Sequence, residues 1–291
     1  MNRILTKFLL GSVITLGALL ILLPRKVTLL IGNFLGVLWF DVLRIRRNLA
    51  IDHVLLAFPK LTRGEAVKIA RRSLYNVGNT IVEIVMMAAL KERHFEDFFE
   101  MEDLSVLGNQ LAKGRGALVL TLHLGNGDLG CAALSLSKFP VSLISKRFKS
   151  EVLNKIWFQI RNRLGTEFLR EEKSQFEILR HLKRNRAVIF VLDQFMGPPV
   201  GVAVKFFGVP TGTAAGLAVF AKKLGQPVIP MYTYRNEQTG KLHIVADEPI
   251  ETIATESIES LTQKYTDWTE KAIRKHPGQW MWIHRRWKRF A

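Results

Sequence analysis

The chain has 291 residues, enough for one sizeable core with a small helical appendage and too few for two full domains. Its net charge of +17 asks for an anionic partner, whether nucleic acid, an anionic membrane, an acidic carrier protein or a phosphorylated substrate, and 48% hydrophobic residues exclude a disordered basic tail. A single cysteine, Cys131, excludes an internal disulfide and reads as core filling in a reducing compartment rather than as a nucleophile.

Phe8 to Leu23 runs 16 residues without a charge, between Lys7 and Pro24-Arg25-Lys26. That is just under the roughly 17–25 residues that cross a bilayer, and no small-x-small cleavage site follows, so the stretch reads as a retained anchor. Val27 to Leu43, with spaced Gly32, Leu35, Gly36, Leu38 and Trp39 and ending in Arg44, Arg46 and Arg47, reads as an amphipathic helix at headgroup level. The alternative is that both are ordinary core helices. Basic residues after the anchor favour placing the following domain on the cytoplasmic side. The expected division is residues 1–45 as membrane anchor and interfacial helices and 46–291 as the catalytic domain.

Thr62 to Met87 has helical spacing and starts on a Thr62-x-x-Glu65 capping box. From Gly116 the texture alternates: strand Ala117–Leu122, a helix from near Asn126, strand Val141–Ile144, a helix from Glu151 to Leu164, a run Ala187–Leu192, a helix Gly212–Leu224, then strands Val228–Tyr234 and Leu242–Ala246. Short β-rich runs between amphipathic helices predict an α/β fold with a mostly parallel central sheet flanked by helices. Active residues in such sheets gather beyond the carboxyl ends of strands.

His123 stands in that place, in His123-Leu-Gly-Asn-Gly-Asp128, where Gly125 and Gly127 let the backbone turn before a helix. The spacing brings a carboxylate back to the imidazole, so that Asp128 would hold one ring nitrogen and the other would take a proton from an acceptor hydroxyl. Spacing alone does not decide, because His243 and Glu248 repeat it. That pair lies in an alternating strand without a glycine turn and reads as a solvated face. Neither a P-loop nor a dinucleotide fingerprint occurs, and His276 and His284 lack ligand spacing, so neither cofactor nor metal is expected.

Further blocks lie in order along the chain: Arg44-Ile-Arg-Arg-Asn-Leu-Ala50, Ala57-Phe-Pro59, Asn76-Val-Gly78 with Glu83, Lys146-Arg147, Arg161 with Gly165, Leu192-Asp193-Gln194, Val204-Lys-Phe-Phe-Gly-Val-Pro210 and Trp280-Met-Trp-Ile-His-Arg-Arg-Trp-Lys288. With the His123 block, these make the chain resemble the lipid A biosynthesis acyltransferases of the lauroyl and myristoyl type, over nearly its whole length. The resemblance implies transfer of a fatty acyl group from an acyl carrier protein thioester, or acyl-CoA, to a lipid hydroxyl at the bacterial inner membrane. It puts the His-x4-acid pair on His123 and Asp128. One departure is Gly127, where relatives often carry a bulky aromatic.

Chemistry suggests roles for the rest. Arg147 follows the Val141–Ile144 strand and is placed to bind a substrate phosphate or steady an oxyanion, unless it is a solvated loop cation. Arg161 offers a second anion contact. Asp193 ends the third strand, and the resemblance raises it from a turn cap to a site-organising residue. Lys205-Phe-Phe207, with Gly208 and Thr211 to Thr213, is expected to build a substrate pocket at a helix start. Residues 271–291 hold seven basic side chains, no acidic one and three of the six tryptophans, the composition of a headgroup-level segment. A nucleic-acid partner is not expected, since no such motif occurs. Two alternatives stay open: the same chemistry on a lysophospholipid or aminolipid, and a non-catalytic basic membrane-binding protein.

Overall fold

The computed structural model describes residues 2–145, 149–170 and 174–290. The chain opens with α1 (Asn2–Ile21) and α2 (Arg25–Val37), which runs into a π-helical turn, Leu38–Leu43. Then come α3 (Arg47–Ala57) and the long α4 (Arg63–Met87). The capping box that starts α4 is formed: Thr62 Oγ1 accepts from the Glu65 amide, and the Glu65 carboxylate accepts from the Thr62 amide at 2.8 Å. By length and apolarity, the helix that could cross a bilayer among the described residues is 25–43, whereas the apolar part of α1 is the shorter Leu5–Ile21. This departs from the expectation that 8–23 is the stronger candidate. α2 lies along α4 almost backbone to backbone. A Cβ on Gly78 would stand 2.0 Å from the Gly32 carbonyl oxygen, so only glycine fits there.

A 3₁₀ turn (Glu92–His94) and the short α5 (Phe95–Phe98) lead into β1 (Phe99–Met101) and α6 (Ser105–Ala112). Strands and helices then alternate: β2 (Ala117–Thr121), α7 (Gly127–Leu136), β3 (Val141–Ser145), α8 (Glu151–Asn162), β4 (Glu167–Arg170), α9 (Ser174–Lys183) and β5 (Ala187–Val191). A separate antiparallel hairpin, β6 (Gly201–Phe206) and β7 (Val209–Ala214), precedes α10 (Gly216–Leu224), β8 (Val228–Arg235), β9 (Leu242–Ala246) and α11 (Ile258–Lys275). The main sheet has the order β1-β9-β8-β2-β5-β3-β4. All its pairs are parallel except β8 with β9, so the expected mostly parallel α/β fold is present.

β2 reads Ala-Leu-Val-Leu because it is buried on both faces. Leu118 and Leu120 join Val188 and Phe190 in one core, which takes in α3, α10 and α11. Ala117 and Val119 join Ala187 and Ile189 in the other, beneath α6, α7 and α8. Two readings are corrected here. Residues 212–214 belong to β7, so the helix expected from Gly212 begins at Gly216. The segment after α11 is not a headgroup belt at its tryptophans, because Trp280 and Trp282 are among the most buried side chains of the protein. Arg286 is buried with them, donating to Thr211, the Gly212 carbonyl and Thr213.

Candidate active site

β2 and β5 pair in register, Ala117 with Ala187 through Thr121 with Val191. Each strand is followed at the same distance by a polar residue, so the same offset carries His123 to Asp193 just past the carboxyl ends. Asp193 Oδ1 accepts from His123 Nδ1 at 2.8 Å, and Oδ2 accepts from the His123 amide at 2.9 Å and from the Trp280 indole at 2.7 Å. Burial alone would raise the Asp193 carboxyl, but the charge and hydrogen bond of His123, followed by the Trp280 bond, hold it down to about 2. It is therefore an acceptor only, and His123 must carry its proton on Nδ1. Burial lowers the His123 pKa, yet the Asp193 charge and hydrogen bond, with a smaller contribution from Asp128, outweigh it and leave the ring above its ordinary value. No hydrogen bond reaches Nε2 among the described residues, and 39% of the His123 side chain stays open.

The turn that follows His123 is fixed from three sides. Gly125 has φ of +60°, and a Cβ there would stand 2.6 Å from the Thr233 carbonyl oxygen, so this glycine is required twice over. Its own carbonyl accepts from Asn76 at 2.9 Å and Thr80 at 3.2 Å, both on α4. Asn126 caps α7 by accepting from the Leu129 amide and donates from its side-chain nitrogen to Glu83 at 2.8 Å. Glu83 is buried, which by itself would raise its pKa. The Arg235 guanidinium, then that of Arg25, outweigh this and hold it low.

Asp128 does not hold the imidazole. Its Oδ1 accepts from Arg161 Nε at 2.7 Å and pairs with Nη2 of the same guanidinium. Arg161 Nη1 also donates to Ser145 Oγ at 2.9 Å, and the guanidinium lies over Phe168, 3.8 Å from the ring centre. The expected imidazole partner is thus replaced by Asp193, because an acid in the first turn of α7 is drawn to the buried cation of α8 instead. His123, Asp128 and Arg161 line one cavity of about 560 Å³, and Asp193 anchors it from behind. Its remaining walls are largely apolar and include Leu143, Ile144, Trp157 and Phe190. Cys131 also faces it, with a thiol that burial, and then Asp128, push up to about 12, so it is no nucleophile at neutral pH.

Lys205 is not brought to this cavity. It is exposed on β6 and borders a shallow groove with Gln263, Asp267 and Glu270 of α11. Arg147 lies outside the described residues. His243 pairs with Glu100 across the sheet edge rather than with Glu248, and its ring stacks on Tyr234. Nothing in the sequence reading assigns Trp280, Asn76, Thr80 and Glu83 to holding His123 and the turn after it. Asn76, Glu83 and Trp280 did belong to the ordered blocks, which was the available signal.

A family model described as bacterial lipid A biosynthesis acyltransferase matches residues 2–289. The chain belongs to the bacterial lipid A biosynthesis acyltransferase family. As a member it is an acyltransferase, and membership supports lipid A or a related glycolipid as the acceptor. It is similar to the lipid A biosynthesis palmitoleoyltransferase of Escherichia coli, 24% identical over 91% of this chain and 86% of the relative. It is also similar to the lipid A biosynthesis lauroyltransferase of Escherichia coli, at 23% over 93% and 88%. A third similarity is to the phosphatidylinositol mannoside acyltransferase of Mycobacterium tuberculosis, at 27% over 63% of this chain and 58% of that one.

Proposed function

We propose that this acyltransferase moves a fatty acyl group from an acyl carrier protein thioester, or acyl-CoA, to a hydroxyl of a lipid A precursor, at the cytoplasmic face of the bacterial inner membrane. The observation that carries this is the His123 ring, tied through Nδ1 to Asp193 with Nε2 unclaimed, beside a largely apolar cavity. Nε2 takes the proton of the acceptor hydroxyl as its oxygen attacks the thioester carbonyl carbon. The tetrahedral oxyanion collapses, the carbon–sulfur bond breaks, and the imidazolium returns its proton to the departing thiolate. Asp193 stabilises the imidazolium and fixes its tautomer. Asp128, fixed by Arg161 at the amino end of α7, places the acceptor headgroup. Arg161 and the helix dipole add positive potential where the oxyanion forms. The apolar walls suit an acyl chain, each buried methylene contributing about 0.8 kcal/mol.

His123→Ala in purified protein, given acylated carrier protein and a lipid A precursor, is expected to lose turnover while keeping its thermal transition. Undiminished acyl transfer by that variant would sink the reading. The mycobacterial relative, named for a phosphatidylinositol mannoside, favours a second reading with another glycolipid acceptor. Mass spectrometry of lipids from a deletion strain distinguishes the two by which class loses an acyl chain.

A further inference from the structure

Asn76, Thr80 and Glu83 stand at helical spacing on one side of α4, among the apolar Val77, Ile81 and Val82. Asn76 and Thr80 reach the Gly125 carbonyl directly. Glu83 is the costly member, a carboxylate with 1% of its surface exposed. An apolar side chain of similar size would fill the same space without losing hydration, so packing alone gives no reason for an acid here. The reason lies in what its two oxygens hold.

Oε2 accepts from Asn126 Nδ2 at 2.8 Å and from Arg235 Nη2 at 2.6 Å. Oε1 accepts from Arg235 Nε at 3.2 Å and from Arg25 Nη2. Together these donors fill the acceptor capacity of the carboxylate. Arg235 also donates from Nη1 to Asn76 Oδ1, and the amide nitrogen of Asn76 is the one bonded to the Gly125 carbonyl. The Glu83–Arg235 pair therefore grips consecutive residues of the turn, Gly125 through Asn76 and Asn126 directly. Arg25 is the first residue of α2, and besides Glu83 it meets the Gly240 carbonyl, from Nε at 3.2 Å and from Nη2 at 3.1 Å. One carboxylate thus joins the start of α2, α4, the end of β8 and the cap of α7.

We infer that Glu83 is a positioning residue for His123 and that Arg25 sets the plane of its carboxylate, so the seating of α2 is felt at the catalytic turn. Glu83 touches no reacting atom. It holds Asn126, which starts α7, and so fixes the angle between the imidazole and the helix start beside which the oxyanion forms. Asp193 holds the ring from the other side. A misplacement of about 1 Å in such a framework costs on the order of 10²-fold in rate, so the network bears on kcat rather than on substrate binding. The inference rests on the proposed role of His123 as base. It places the amino edge of the catalytic unit at Arg25 rather than at residue 46.

Glu83→Ala is a poor probe, because it strands two guanidinium groups in the interior and threatens the fold. Asn126→Ser is cleaner: serine still accepts from the Leu129 amide as the cap of α7 but is too short to reach Glu83. Arg25→Met keeps an apolar stem and removes the cation, leaving Glu83 paired with Arg235. The full chain is assayed with acylated carrier protein and a lipid A precursor, and kcat is taken per folded molecule from the native fraction in circular dichroism. It should fall about 10–100-fold in Asn126→Ser and about 3–10-fold in Arg25→Met, with both KM values within about twofold of wild type. Arg25→Lys should recover most of the loss. The double variant should be no slower than Asn126→Ser, since both changes act through one carboxylate. Unchanged kcat in either single variant, a rise in KM without a fall in kcat, or losses that multiply in the double variant would each overturn the inference. His123→Ala alongside keeps the two readings apart. Surviving turnover there sinks the base, whereas lost turnover there with wild-type kcat in the other variants sinks only the positioning.

Discussion

Asp193→Asn preserves the side chain's size and removes the charge that favours a protonated His123. In the wild type the ring titrates above its ordinary value, near 6.5, and a general base works only when neutral, so activity is present above that pKa and fades as pH falls through it. Without the carboxylate the ring pKa drops. The acid limb of kcat/KM is expected to move to lower pH while the plateau falls by about 10²–10⁴-fold, which a pH–rate profile reads directly. Arg161→Met is expected to act on stability instead: it leaves Asp128 facing a low-dielectric cavity with its cation gone, a loss of about 3–5 kcal/mol visible as a lower Tm. Gly127→Ala is the converse. Its φ is not positive and a Cβ there meets nothing within 4 Å, so the change should raise stability by about 0.4–1 kcal/mol in thermal unfolding while narrowing the cavity. The place of His123 after its strand, its glycine turn and the place of Asp193 at the end of the third strand were legible from the chain. The pairing of His123 with Asp193 rather than Asp128 was not, because it depends on which strand lies beside β2 and on a cation supplied by α8.

Among the elements, α4 grips α2 on one side and the turn after His123 on the other. Gly78→Ala forces a methyl into the Gly32 carbonyl and should cost about 1–3 kcal/mol in thermal unfolding, the range for overpacking. The start of α4 was written plainly in its capping box. The β6–β7 hairpin was harder to see, since Gly201, Gly208, Pro210 and Gly212 look like loop chemistry, and its strands gain their burial from α11 and the chain's last tryptophans. Those tryptophans show the same ambiguity. Aromatic rings among cations suit an interface and a core equally well until something buries them, and here Phe206 and Trp280, with ring centres 5.7 Å apart, pack together. Trp280→Phe deletes one donor to Asp193 and leaves a void at a fully buried site, so kcat should fall together with Tm, as steady-state kinetics beside thermal unfolding will show.

At the scale of the molecule, alternation of apolar runs and amphipathic helices was enough to give the parallel sheet, and the net charge was enough to ask for an anionic surface. Strand order was hidden, because pairing is decided by contacts distant in sequence. That order also has a temporal consequence. The Asp193 carboxylate is held by donors from His123 and from Trp280, residues far apart in the chain. During synthesis, a nascent chain halted before residue 280 carries every strand of its sheet and its imidazole, yet lacks both the indole that pins Asp193 and Met281 of the cavity wall. Competence would then arrive after compactness, when the segment beyond α11 docks, and an incomplete enzyme beside abundant thioesters would stay idle until that final stitch is made.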